Sequence, residues 1–179
     1  LFPYTTLFRS KFYALPSLAQ PIHTDEGYTK QYPKFIALHC HSESTSGGAS
    51  IIVKLKPLLD VISTCYSAVI EQLFDVNSLL VHNASGCENK PLLFKFDDDK
   101  VGISYSPVLK KVVCNHQVAE IFKFITAYLH DVKNQLRFKL KKNQILILDN
   151  RITLHGRTSF SKNEKRVFYR YWMGQEKIC

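Results

Sequence analysis

The sequence has few of the features that would point to disulfides, a zinc ribbon, secretion or a membrane. Its five cysteines form an odd set with no CxxC spacing, which argues against a zinc ribbon and a complete disulfide framework. No apolar run approaches the roughly 18 residues of a membrane span, and no secretory signal pattern is present. We therefore expect a soluble chain in a reducing, cytoplasmic location, with no membrane partner.

The chain also lacks a dense basic block, although its formal net charge is +9 and its pI is about 9.3. The lysines are scattered along the sequence, which indicates a solvated basic surface. Such a surface attracts small anions without forming a nucleic-acid site. We expect a small-molecule substrate that is anionic or zwitterionic, and no nucleic-acid partner.

Length and composition predict a single domain, because 179 residues do not comfortably build two. Residues 1–10 look unlike the remainder and are interpreted as a non-native leader. The domain then covers 11–179, with a helix-containing insert at about 56–135. No internal repeat or low-complexity tract interrupts it.

Apolar periodicity predicts a mostly β domain that carries two helices. The run at 144–148 is apolar throughout, which favours a strand buried on both faces. Residues 83–89 and 97–99 have turn chemistry, and the three aspartates of the second segment lack the ligand alternation of a calcium loop. We predict strands at 34–41, 50–55, 144–148 and 166–173, and helices at about 57–73 and 117–132.

Two histidines and one aspartate are the candidate metal ligands. His23 and Asp25 stand at i and i+2, so that both side chains leave an extended backbone on one face, and His155 lies far downstream. This set suits the facial triad of non-haem Fe(II) oxygenases, which leaves coordination positions open. In the last predicted strand, Arg166 and Arg170 share one face with Trp172, and two such guanidinium groups need anions. The other histidines, 39, 41, 82, 116 and 130, are interpreted as ordinary structural or surface residues.

Several motifs in one order together resemble the TauD/TfdA family of Fe(II)- and 2-oxoglutarate-dependent dioxygenases, over about 22–172. They are Pro-Ile-His-Thr-Asp at 21–25, Ser-Gly-Gly-Ala-Ser at 46–50, Leu-Asp-Asn-Arg at 148–151, Leu-His-Gly-Arg-Thr-Ser-Phe at 154–160 and Arg-Val-Phe-Tyr-Arg-Tyr-Trp at 166–172. The resemblance implies a double-stranded β-helix core of the jelly-roll, cupin-like type with flanking helices. Family members carry a long region before the first histidine, so this core is expected to be incomplete at its N-terminus.

Carried over residue by residue, the resemblance implies that His23, Asp25 and His155 bind Fe(II). Ser50 would hydrogen-bond the distal carboxylate of 2-oxoglutarate, and Arg166 would form the salt bridge to the same carboxylate. Arg170 would lie near the keto-acid end of this co-substrate and the primary substrate. We also considered Asn150 as a weaker candidate for a residue that supports the ligands or the turn.

The implied activity is the oxidation of a small amino-acid-like or other anionic metabolite by O2, with release of succinate and CO2. Hydroxylation is the expected outcome and desaturation or cyclisation stays open, whereas Asp25 argues against halogenation. The main alternative is a catalytically inactive double-stranded β-helix that binds a small anion or a protein partner. A zinc-dependent hydrolase using the same ligands is a third interpretation, and no candidate general base supports it.

Overall fold

A computed structural model describes residues 17–83, 86–107 and 112–178, so the proposed leader at 1–10 lies outside the described residues. The fold is mostly β with two α-helices, as predicted. No helix among the described residues is long and apolar enough to span a membrane. The strands are β1 Gln20–His23, β2 Gln31–Ser42, β3 Ser50–Lys54, β4 Leu79–Asn83, β5 Gly86–Lys90, β6 Leu93–Phe96, β7 Lys100–Ile103, β8 Val112–Val113, β9 Leu136–Phe138, β10 Ile145–Asp149, β11 Thr153–Arg157 and β12 Val167–Lys177, and the helices are α1 Leu55–Cys65 and α2 His116–His130.

Two antiparallel sheets pack face to face and position the candidate ligands. The first has the strand order β1-β11-β3-β9 and the second the order β10-β2-β12. Ile52 of the first sheet packs with Ile36 and Leu148 of the second in one buried cluster. His155 is paired with Ile52 in the first sheet, and Trp172 is paired with Ile36 in the second. Because directly paired residues project from the same face of a sheet, both side chains point between the sheets.

A helical layer covers the opposite face of the first sheet. Ile51, Val53 and Leu154 belong to the main core cluster together with the apolar faces of α1 and α2. The second helix begins at an N-cap, Asn115, whose side chain accepts a hydrogen bond from the backbone N–H of Val118 at 2.9 Å. Its bounds agree with the predicted helix at 117–132 to within two residues.

The first helix is shorter than the periodicity predicts, because it ends at Cys65 rather than near residue 73. The Thr64 hydroxyl donates to the carbonyl of Asp60 at 2.8 Å, a back-bond that weakens the last turn of a helix. A separate 3₁₀ turn, Ile70–Leu73, then places Leu73 in the core. The apolar spacing therefore predicted the burial of Leu73 correctly, but the prediction of one continuous helix to residue 73 was wrong.

The segment between α1 and α2 contains paired strands, and one stretch that was predicted as a turn is largely strand. Strands β4 and β5 pair from Leu79↔Lys90 to Asn83↔Gly86, so most of the segment predicted as a turn at 83–89 is strand. Pairing with β4 holds these polar residues in β5, which their turn chemistry does not reveal. The turn predicted at 97–99 is confirmed, since all three aspartates have positive φ between β6 and β7.

Strand β10 is buried on one face only, which corrects the prediction for 144–148. It lies at the edge of the second sheet, and the side chains of Ile145 and Ile147 are 58% and 63% exposed. Leu148 points inward and is buried. A continuous apolar run predicts a strand, but it does not predict whether other elements pack against both faces of that strand.

Candidate metal centre

The register of one strand pair brings the three predicted ligands together. Strand β1 pairs with β11 so that His23 lies directly opposite His155, and their ring centroids are 4.5 Å apart. Asp25 follows in the turn after β1, with Oδ1 at 3.2 Å from His23 Nε2 and 3.4 Å from His155 Nε2. The three side chains are buried, and each offers a ligand atom within 4.8 Å of the others.

Hydrogen bonding leaves the imidazoles in a form that can bind a metal. His23 Nδ1 lies 2.8 Å from the carbonyl oxygen of Pro21, which can only accept, so Nδ1 carries the proton. In the neutral ring His23 Nε2 keeps its lone pair, and this lone pair faces the Asp25 carboxylate. Neither ring nitrogen of the buried His155 has a hydrogen-bond partner among the described residues. A cation between these atoms would offset the repulsion between the Asp25 carboxylate and the His23 lone pair. It would also give a partner to one of the unpaired His155 nitrogens.

The charge states at neutral pH match this role. Burial alone would raise the pKa of Asp25, but the Arg170 guanidinium and the adjacent His155 and His23 imidazoles hold this pKa well below its ordinary value. Burial, reinforced by His23, lowers the pKa of His155 to about 4. The site therefore offers an ionised carboxylate and an uncharged His155 imidazole at neutral pH, which are the forms that bind metal ions.

The turn that carries Asp25 is fixed by buried polar contacts. The Asn150 side chain accepts from the backbone N–H of Asp25 at 2.8 Å and donates to its carbonyl at 3.0 Å. The backbone N–H of Thr24 donates to the carbonyl of Tyr105 at 2.9 Å, and the Thr24 hydroxyl accepts from the backbone N–H of Tyr105 at 3.0 Å. These contacts fix the backbone on both sides of the carboxylate.

Strand β12 supplies two donors to the Asp25 carboxylate. Arg170 Nη1 donates to Oδ1 at 2.8 Å, and Trp172 Nε1 donates to Oδ2 at 2.7 Å. Sequence reasoning placed Arg170 near the co-substrate and substrate, and the contact with Asp25 leaves that prediction untested. Trp172 was not a predicted site residue. Its signal in the sequence was its i+2 spacing from Arg170, which puts both side chains on one face of β12.

Arg166 and Ser50, the residues predicted to bind 2-oxoglutarate, lie outside the ligand cluster. The Arg166 guanidinium stacks over the ring of Phe168 at 3.6 Å and makes no hydrogen bond or ion pair with any described residue. Burial and the neighbouring Arg157 lower the pKa of Arg166 to about 10, so it remains a cation at neutral pH. Gly48 has a φ of +69°, and a Cβ atom there would collide with Ser44 Oγ and lie 3.3 Å from Arg166 Cδ and Nε, so this glycine allows both side chains to approach.

Ser50 begins β3 on the same face as His155. Ser50 is paired with Arg157, two residues beyond His155, so its side chain projects between the two sheets. It is buried, yet its hydroxyl has no hydrogen-bond partner within 17–83, 86–107 and 112–178. The Ser50 hydroxyl and the Arg166 guanidinium are therefore both available to an anion.

A family model described as "Taurine catabolism dioxygenase TauD, TfdA family" matches residues 5–172. The chain belongs to the TauD/TfdA family. This finding confirms the resemblance predicted from the motifs. The comparison with curated proteins gives no match.

Solved structures show that this TauD/TfdA chain has the jelly-roll fold. It is similar to asparagine oxygenase in complex with Fe(II), 2S,3S-3-hydroxyasparagine and succinate, with a TM-score of 0.72 and 19% identity over 88% of this chain and 50% of that one. It is also similar to AAD-2 in complex with Mn(II) and N-oxalylglycine, with a TM-score of 0.73 and 15% identity over 88% and 69% of the two chains. The chain spans about half the length of the asparagine oxygenase. The predicted double-stranded β-helix class is confirmed.

Proposed function

We propose that this chain is the metal-binding part of an Fe(II)- and 2-oxoglutarate-dependent oxygenase that hydroxylates a small amino-acid-like or other anionic metabolite, with release of succinate and CO2. One observation carries the proposal. His23, Asp25 and His155 converge in a buried site, where His155 has no hydrogen-bond partner among the described residues. A structural histidine buried in a core is normally hydrogen-bonded, so this arrangement fits a ligand for a metal ion.

The residues present divide the work between metal and co-substrate. His23 Nε2, Asp25 Oδ1 and one nitrogen of His155 would hold Fe(II), which when bound supplies the redox chemistry for O2 and 2-oxoglutarate. Arg166 would pair with the distal carboxylate of 2-oxoglutarate, because its guanidinium is half-buried, charged and unpaired within the described chain. Ser50 would donate its hydroxyl proton to the same carboxylate.

The cationic side chains near the candidate ligands favour a substrate that carries negative charge. Arg170 contacts Asp25, Arg166 lies near enough to Arg170 to feel its charge, and the whole chain has a formal net charge of +9. The similar asparagine oxygenase structure contains a hydroxylated amino acid, which supports an amino-acid-like substrate. The four described cysteines are free, in agreement with a cytoplasmic location.

The decisive experiment measures succinate formed from 2-oxoglutarate by the protein across a panel of amino acids, betaines and sulfonates. We expect succinate only when Fe(II), O2 and a suitable substrate are all present. His155→Ala should abolish it, whereas His116→Ala, which changes an exposed histidine on α2, should retain it. Metal binding without succinate from any substrate would instead favour the inactive binding protein, and hydrolysis supported by Zn(II) alone would favour the hydrolase.

A further inference from the structure

The two oxygens of the Asp25 carboxylate face different partners. Oδ1 is turned toward the imidazoles, at 3.2 Å from His23 Nε2 and 3.4 Å from His155 Nε2. Oδ2 accepts a hydrogen bond from Trp172 Nε1 at 2.7 Å. The carboxylate is thus oriented with one oxygen toward the candidate metal position and the other held by an indole.

Trp172 is well suited to hold that orientation. It lies on the inner face of β12 opposite Ile36, and its ring packs against the buried cluster of Ile36, Ile52 and Leu148. The indole N–H can only donate, so it cannot exchange roles with a carboxylate or coordinate a cation itself. A hydrogen bond to an ionised oxygen is also stronger than one to a neutral acceptor.

We propose that Trp172 is a positioning residue that keeps Asp25 Oδ2 away from the metal, so that Asp25 binds through Oδ1 alone. This proposal rests on the proposed metal centre. Carboxylates bind cations through one or both oxygens. Binding through both would occupy a coordination position that the co-substrate or O2 requires, whereas an oxygen already bonded to an indole is withheld from the metal.

The neighbouring donor does not perform the same task. Arg170 Nη1 contacts Oδ1, the oxygen that faces the imidazoles, and its side chain is 29% exposed. Trp172 contacts the other oxygen from a ring that is anchored by packing. Of the described residues, Trp172 is the one that fixes which Asp25 oxygen is presented to the metal.

A direct test uses the wild-type protein, because Trp172 is the single tryptophan and gives one indole N–H signal in an ¹⁵N-labelled sample. We expect this N–H to exchange slowly with solvent, and to stay protected when the diamagnetic ion Zn(II) is added. Exposure of the N–H to rapid exchange on addition of Zn(II) would show that Oδ2 has moved to the metal, and would overturn the proposal.

A second measurement compares Mn(II) affinity in two variants of the same apolar cluster. Trp172→Phe keeps an aromatic ring and removes the N–H, so the Asp25 carboxylate loses its fixed orientation and must be ordered again when the metal binds. We expect affinity to fall about tenfold, a usual effect of losing a residue that supports a metal ligand. Phe138→Leu changes packing in that cluster without a contact to Asp25, and should keep wild-type affinity.

The outcomes separate this proposal from the proposed function. If Trp172→Phe binds Mn(II) with wild-type affinity while His155→Ala does not bind it, the positioning role of Trp172 is wrong and the proposed metal centre still stands. If Phe138→Leu loses as much Mn(II) affinity as Trp172→Phe does, the effect comes from packing in the cluster and not from the indole hydrogen bond. Failure of the wild-type protein to bind Mn(II) at all would overturn both.

Discussion

Asn150 holds the backbone of Asp25 from both sides. Its Oδ1 accepts from the Asp25 N–H at 2.8 Å, and its Nδ2 donates to the carbonyls of Asp25 and Pro33, each at 3.0 Å. The side chain is buried, so no solvent can replace these bonds. Asn150 therefore couples the end of β10 to the turn that presents the Asp25 carboxylate.

Asn150→Ala is expected to weaken both folding and metal binding. It leaves three buried backbone groups unpaired, at about 1–3 kcal/mol each before relaxation, so we expect the free energy of unfolding to fall by about 2–4 kcal/mol. Mn(II) affinity should fall at least about tenfold. Urea unfolding and Mn(II) titration measure the two effects. Asn89→Ala, which removes an exposed bond to Asn77, should change neither; wild-type values in Asn150→Ala would contradict the role.

Arg166→Gln is expected to remove most of the affinity for 2-oxoglutarate. Truncating one partner of a buried charge pair costs about 2–5 kcal/mol, so the Kd of the analogue N-oxalylglycine should rise at least about 30-fold. Arg166→Lys should recover only part of this loss, since lysine cannot form a bidentate pair. Calorimetric titration of Mn(II)-loaded protein provides the measurement.

The control for this prediction is Arg137→Gln, because Arg137 is exposed on β9. Its affinity for N-oxalylglycine should match the wild type, and Mn(II) affinity should be unchanged in all three arginine variants. An Arg166→Gln protein that binds the analogue as the wild type does would assign the distal carboxylate to another residue.

The family and the general fold were predictable because their signals are local. The His-x-Asp spacing, the glycine pair before Ser50 and the alternation of β12 are each contained within a few residues. Their order along the chain predicted the family and the two-sheet core. The convergence of His23 and His155 also follows from that resemblance, whereas the metal and co-substrate roles of the individual residues stay predictions.

Other features depend on contacts that local patterns do not encode. The bond from Trp172 to Asp25 joins residues 147 positions apart, and it requires the register of β12 against β2. The last turn of α1 carries a back-bond from Thr64, and the exposure of one face of β10 depends on which elements cover it. Periodicity predicts which face of a helix or strand is apolar, but it does not predict which element packs against that face.

Self-association through the outer face of the second sheet is the third prediction. Ile145, Ile147, Tyr169 and Met173 are all exposed on this face, and the outer edge of β10 pairs with no strand of the described part of the chain. Ile147→Thr should reduce concentration-dependent association in analytical ultracentrifugation with little change in stability. Leu148→Thr, its inward neighbour, should instead cost about 2–4 kcal/mol of unfolding free energy. Unchanged association in Ile147→Thr would exclude this face.

Lys90 gives the protein a pH-dependent stability. Its side chain is fully buried, and its Nζ donates to the carbonyls of Gly27 at 2.6 Å and Ser104 at 2.9 Å. Burial lowers the pKa of Lys90 to about 7, although Glu88 opposes the shift. In the unfolded chain a lysine has a pKa of about 10.4. Between these two values the folded state binds fewer protons than the unfolded state, so stability rises as the pH increases.

The fourth prediction is that Lys90 makes the protein more stable as the pH increases. One proton contributes about 1.4 kcal/mol per pH unit, so the wild type should gain about 2 kcal/mol of unfolding free energy relative to Lys90→Met between pH 7.5 and 9. Denaturant unfolding at several pH values measures the difference, in which the other titrating groups cancel. Lys123→Met, an exposed lysine paired with Glu120, should follow the wild-type curve. Parallel curves for Lys90→Met and the wild type would mean that Lys90 stays protonated in the fold, held by its carbonyl partners.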